Sequence, residues 1–306
     1  MKNGPRQGEF MTEGPPRIFD RRAYRARRAR AAGRGGDAFL AETAAEALAD
    51  RIRAVNRHFR HALDIGSRGA GFGQLAPLAD YWVRAHPAGE FVAGTRSVIA
   101  DEEGLPFAAE SFDLITSVLS LHAVNDLPGA LIQIRRALKP DGLFMAAMFG
   151  GDTLTELRQA FAQAEAELTG GVSPRISPFG DVRDLGGLLQ RAGFALPVTD
   201  SERTVVRYRD ASTLFSDLRN LGETNVLAER AKAPLRRAIL AAALNEYASH
   251  FADDDGRLRA SFEIVYLTGW APHESQQKPL KPGSAKLRLA SVLGTEEQPT
   301  GEKPRS

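Results

Sequence analysis

The chain has 306 residues, 43% of them hydrophobic and 25% charged, with 40 basic side chains against 38 acidic ones. That length suits one large α/β domain with insertions, and the near balance of charge argues against a general nucleic-acid binder. With no cysteine, disulfides, zinc ribbons, thiol nucleophiles and thiolate-held iron–sulfur clusters are excluded. The six histidines (His58, His61, His86, His122, His250 and His273) form neither an HExxH helix nor a His-x-Asp/Glu pair, so no metal site is expected. No apolar run reaches bilayer length and no signal-peptide core follows Met1, which predicts a cytoplasmic protein.

Residues 1–16 are rich in Gly, Pro and polar residues and read as a disordered leader. Residues 17–36 form a basic segment: Arg17 to Arg34 holds eight arginines against the single acid Asp20, with Ile18, Phe19 and Tyr24 as anchors. A solvated helix that touches an acidic partner or a membrane surface, and contributes little to folding, is the expectation for it. From Asp37, the residues Leu40, Ala44, Leu48, Ile52, Val55 and Phe59 fall on one face of a helix. That helix delivers the chain to ALDIGSRGAGFGQLA, residues 62–76. Here Ala62 to Ile65 read as the end of a buried parallel strand, Asp64 as the acid at its tip, and the glycines as a turn that lets backbone approach a ligand. A helix follows near Phe72 and breaks around Pro77.

Further strands are predicted at Tyr81–Val83 and at Val98–Ala100, the latter ending in Asp101 and Glu102. The apolar run FDLITSVLSL predicts a central parallel strand, Asn125–Leu138 a helix closed by KPDG, and Leu143–Phe149 another buried strand. Strands separated by helices define a doubly wound α/β sheet, with ligands expected beyond the carboxyl ends of the strands. Helices are then predicted at Thr153–Leu168 and Val182–Ala192, flanking a Gly/Pro/Ser loop from Gly170 to Phe179. Strands at Thr204–Tyr208 and Ile264–Trp270 enclose a helical insertion at about 210–252, which fits an antiparallel edge and a cover for the ligand crevice. Residues 276–306 return to Lys, Pro, Gly and Glu and read as a disordered tail.

The segments ADEEGLPFAAESFDLITSVLSLH and LKPDGLFMAAMFGGDTLTELR resemble class I S-adenosylmethionine-dependent methyltransferases of the type 11 branch, which includes the biotin-pathway carboxyl methyltransferase. Closer still is the respiratory complex I assembly factor 5 family, whose recurring segments stand here as IFDRRAYRARRARAA, LSLHAVNDLP, MFGGDTLTELR, GGVSPRISPF, DLGGLLQRAGF and GWAPHESQ. The resemblance spans roughly Arg17 to Gln277. It implies a seven-stranded Rossmann-like sheet over residues 37–275, an S-adenosyl-L-methionine pocket, and a protein partner among the core subunits of complex I. It also implies methyl transfer, or arginine hydroxylation as the activity reported for the family.

Carried onto this chain, the resemblance implies that Asp64 orients the methionyl amino group of the cofactor, with Gly66 and Gly69 opening the backbone to its carboxylate. Asp101 takes the adenine amino group beside Glu102, Leu105, Phe107 and Leu121. Arg68 stands where the family has its second glycine, able either to obstruct the cofactor or to pair with its carboxylate. At the end of the second strand, where an acid normally holds the ribose, stand Arg84, Ala85 and His86. His122 and Asp126, with Asn125 between them, are the candidate catalytic and substrate-contacting residues after the fourth strand. Two other readings accompany this one: a non-catalytic assembly adaptor with a degraded cofactor site, and a small-molecule carboxyl methyltransferase.

Overall fold

The computed structural model describes residues 17–35, 38–88, 96–277 and 294–295. The expected leader and nearly all of the expected tail lie outside them. The chain divides into two units, Met1–Pro272 and His273–Ser306. What is described of the second includes a turn in which His273 Nδ1 and Ser275 Oγ stand 2.7 Å apart.

The first unit runs α1 (Arg21–Ala32), α2 (Phe39–Arg53), β1 (Phe59–Ile65), α3 (Gly69–Leu75), β2 (Ala79–His86), β3 (Arg96–Ile99), β4 (Phe112–Val118), α4 (Leu127–Ala137) and β5 (Leu138–Phe149). It continues with α5 (Thr155–Thr169), α6 (Val182–Arg191), β6 (Ala195–Tyr208), α7 (Ala211–Leu221), α8 (Arg237–Phe251) and β7 (Leu258–Trp270). The strands form one seven-stranded sheet in the order β3-β2-β1-β4-β5-β7-β6. β1 to β5 are parallel, and β7 and β6 close the edge antiparallel.

Burial on both faces explains the apolar central strands. Leu114 and Val118 of β4 join Leu40, Leu48, Ile52 and Phe149 in one core, while Ile115, Leu63 and Phe144 join Leu131, Ile134 and Leu189 in the other. Each fully buried leucine contributes on the order of 1.5–3 kcal/mol, so α2 is held by its packed stripe more than by helix propensity. The turn after β1 and the turn after β4 thereby come to the same end of the sheet.

Several boundaries differ from expectation. α2 stops at Arg53, and Phe59 opens β1 because the chain reverses through Asn56 at φ 46°. KPDG does not close α4; it lies within β5, where Asp141 at φ 60° accompanies a register shift against β4, a bulge that lets the strand begin early. β6 and β7 extend well before Thr204 and Ile264, since their long antiparallel pairing satisfies backbone groups that an alternating polar sequence does not advertise. No helix among the described residues is long and apolar enough to cross a membrane.

The basic segment is where the structure overturns the expectation. Residues 18–20 pair with 226–228, with Asp20 donating to Val226 O at 2.8 Å and Ala228 donating to Ile18 O at 2.8 Å. α1, capped by Asp20, then buries Tyr24, Arg28 and Ala31. It is a packed part of the domain, because Phe19 and Tyr24 supply a small core with Ala123, Val226 and Leu227. Arg22, Arg25, Arg30 and Arg34 remain exposed.

Candidate functional site

The crevice beyond β1 is closed by this helix. Gly66, at φ 70°, makes the turn after β1, and a side chain there would overlap the Ser120 hydroxyl and Glu102 Oε1. Arg28 donates to Gly66 O and, at 3.4 Å, to Leu119 O. The Tyr24 hydroxyl lies 3.2 Å from Ser120 Oγ and 3.3 Å from Glu102 Oε1, and Ser120 also donates to Glu102. Burial, with Glu102 beside it, pushes the Tyr24 phenol far above its ordinary value, so it stays neutral. Arg21 donates to Asp101 Oδ1 at 2.6 Å, to Glu102, and to Ala123 O at 2.7 Å.

The two acids expected to hold the cofactor are therefore already engaged. Asp64 is wholly buried against an equally buried Arg84, with Nε 3.3 Å from Oδ2. Burial raises the Asp64 pKa, opposed by Arg84, Ser67 and Thr116. Arg84 reaches further to donate to Ser67 O at 2.7 Å and lies over the Phe72 ring. His86, next in register along β2, is driven down to about 3 by burial, Arg84 and Arg28, and stays neutral.

The other expected site residues fall elsewhere. Asp126 caps α4, accepting from Gly129 N at 2.9 Å. Asn125 ties the N-terminal segment down, accepting from Phe19 N at 2.7 Å and donating to Phe19 O at 3.2 Å. Leu121 is buried in the core on the α4 side, where Leu105 and Phe107 also pack, so these three support the crevice wall from behind. Arg68 is the buried N-cap of α3, Gly69 begins that helix, and the Arg68 charge helps keep Glu223 ionised.

His122 opens a second region. It lies in the turn after β4 with Nε2 3.0 Å from Glu223 Oε2, and its ring stands 5.0 Å from Phe149 and 5.6 Å from Phe179. Beside it is a cavity of about 220 Å³ walled by Phe149, Phe161, Phe179, Phe215 and Phe262, with Glu223 as the acid in its lining. Burial opposes ionisation of Glu223, but His122, Arg28 and Arg68 outweigh it and lower its pKa. Glu223 Oε1 and His122 Nδ1 are buried without a hydrogen-bond partner among the described residues. Arg175, also in the lining, is matched by Glu165. A flat cation suits such a place: the ring faces attract it and the carboxylate can pair with it.

Sequence reasoning missed Glu223, Ser120, Tyr24 and Arg28. Glu223 sits in a polar loop with no motif around it, and the phenylalanines come from β5, β7, α5, α7 and the loop after α5. The anchor role given to Tyr24, Arg68 at a glycine position, and Arg84 and His86 where an acid is usual were the signals that pointed toward a closed crevice.

A methyltransferase domain model matches residues 63–146. Solved structures of the same fold include YcgJ from Bacillus subtilis, at 14% identity and a TM-score of 0.51 over 74% of this chain and 98% of that one. Fold and matched segment define a class I S-adenosylmethionine-dependent methyltransferase domain, for which S-adenosylmethionine is the cofactor. The chain is 43% identical to the human protein named arginine-hydroxylase NDUFAF5, mitochondrial, over 83% of this chain and 76% of that protein. It is 40% identical to the Danio rerio protein of the same name, over 83% and 82% respectively. A malonyl-[acyl-carrier protein] O-methyltransferase of Gallionella capsiferriformans is 33% identical over 83% of this chain and 92% of its own length. The chain belongs to the NDUFAF5 family.

As arranged here, the crevice does not fit that cofactor. The Gly66 carbonyl, Asp64, Asp101 and Glu102 all face the chain's own arginines, and the Tyr24 hydroxyl stands between Ser120 and Glu102.

Proposed function

We propose that this protein modifies an arginine side chain of a protein partner during assembly of respiratory complex I. The observation that carries this reading is the phenylalanine-walled cavity with the His122-held Glu223 carboxylate in its lining. The names of the relatives, arginine-hydroxylase and mitochondrial, agree with a guanidinium substrate. Glu223 receives the guanidinium by charge-assisted hydrogen bonds, the rings exclude water, and His122 positions the carboxylate. Hydroxylation replaces one C–H hydrogen of the side chain by a hydroxyl, a two-electron oxidation. It consumes dioxygen together with an external two-electron donor, both supplied as co-substrates, the second oxygen atom leaving as water. In a eukaryotic cell the site of action would be the mitochondrial matrix, and in a bacterium the cytoplasmic side of the inner membrane.

The filled crevice favours one other reading, an assembly adaptor that holds the partner without turnover. Co-expression with complex I core subunits, followed by mass spectrometry of the partner's arginines, tests both. One added oxygen on an arginine, lost in Glu223→Gln, is the expected result. Stable co-purification with no mass change would replace it with the adaptor.

A further inference from the structure

Arg27 and Arg30 of α1 and Arg34 just beyond it recur at helical spacing and stand on one side of the segment. Arg219, in the last turn of α7, meets them, and with Gly222 and Thr224 the four arginines line a recess of about 150 Å³. Gly222 makes the approach possible: at φ 81°, a side chain there would come within 3.1 Å of Arg28 Cδ and 3.5 Å of Ala31 Cβ. The recess is thus built by the same contact that seats α1 on α7.

Its charge is not balanced from within. Among the described residues, none of the four arginines forms an ion pair with a carboxylate, the nearby Asp20 being held at 2.9 Å by Arg230. Arg27 donates instead to Thr224 Oγ1 at 2.6 Å. Burial lowers its pKa first, with Arg230 and Arg30 adding to this and Asp20 opposing it. The C-terminal ends of α1 and α7 offset only part of this, since each helix end carries roughly half a charge against four full cations.

Resting on the arginine-modifying reading above, we propose that this recess is an oxyanion site that receives a carboxylate side chain of the protein partner. Arg219 and Thr224 line both the recess and the aromatic cavity. A peptide whose arginine enters the cavity therefore carries its neighbouring residues past the four guanidinium groups. An acidic residue close to the modified arginine is the feature selected, and Arg–carboxylate pairing supplies the specificity.

The test uses two synthetic peptides, each with one arginine, flanked by glutamates in one and by glutamines in the other. Binding is measured by calorimetry at low and high salt to the parent, to Arg30→Glu/Arg34→Glu, whose two sites are exposed, and to Glu223→Gln. The parent should bind the glutamate peptide about tenfold more tightly than the glutamine one, about 1.4 kcal/mol, with the advantage shrinking as salt rises. The double variant should lose that advantage while holding the glutamine peptide as the parent does, and Glu223→Gln should weaken both peptides alike. A glutamate advantage that survives in the double variant, or its absence in the parent, overturns the proposal. If the parent binds neither peptide, the cavity reading has failed, and inorganic phosphate decides the recess by itself. A rise in melting temperature for the parent but not the double variant upholds the oxyanion site, and equal responses overturn it.

Discussion

The turn of residues 119–122 reaches both the crevice beside β1, through Leu119 and Ser120, and the lining of the cavity beside β5, through the contact of His122 with Glu223, yet the two regions differ in what fills them. On the crevice side, Arg28 and Tyr24 reach Leu119 and Ser120, and every acid is answered by an arginine of this chain. On the cavity side, His122 holds Glu223 among phenylalanines and leaves one carboxylate oxygen without a hydrogen-bond partner among the described residues. A buried charge is tolerable only when paired, and the crevice carboxylates meet that condition through arginines of this chain, while Arg84 Nη1 and His86 Nε2 are buried without a hydrogen-bond partner among the described residues. The seven-stranded sheet is retained, with Asp64, Asp101 and Glu102 each paired to an arginine of this chain.

The largest expected effect breaks the closed side. Arg84→Met leaves Asp64 buried without its cation, and loss of one partner of such a pair costs about 3–5 kcal/mol. Chemical denaturation should show that loss, and an unchanged midpoint would mean Asp64 finds another partner.

Next in size is Tyr24→Ala. Removing a buried aromatic ring should cost about 3 kcal/mol and at the same time vacate the space between Ser120 and Glu102. Melting temperature should fall, and calorimetry should show tighter S-adenosylmethionine binding than in the parent. Equal affinity would show that Tyr24 does not compete with the cofactor.

On the open side, Glu223→Gln should barely change stability, because an amide oxygen can still accept from His122. It should cost about 1.5–3 kcal/mol in affinity for an arginine peptide, the worth of a charge-assisted hydrogen bond. Parent-like affinity would remove Glu223 from the site.

The smallest effect per unit change is a pH slope from His86. Its folded pKa is about 3 against 6.5 unfolded, so between these values the unfolded chain holds a proton that the folded chain does not. The stability it contributes is full above pH 6.5 and is lost on acidification, by about 1.4 kcal/mol per pH unit. His86→Leu should flatten that part of the profile. An identical slope in the variant would place the acid sensitivity elsewhere.

Sequence alone determined the doubly wound sheet, the strand ending in Asp64, the glycine turn and the antiparallel edge. Those follow from local periodicity and from short-range strand, turn and helix chemistry. It also placed His122 correctly after the fourth strand and marked Arg68, Arg84 and His86 as departures. Tertiary structure alone decided which way the arginines face. Eight arginines in one segment read as a solvated charge run, because composition cannot reveal that Asp101, Glu102 and the Gly66 carbonyl wait 38 to 81 residues away. The aromatic cavity was equally hidden. Its phenylalanines come from separate helices, strands and a loop, and only the closing of α5 and α7 against the sheet gathers them around Glu223. Pairing and burial are properties of distance in space, and for long-range partners that distance is set by the packed fold rather than by the spacing of residues along the chain.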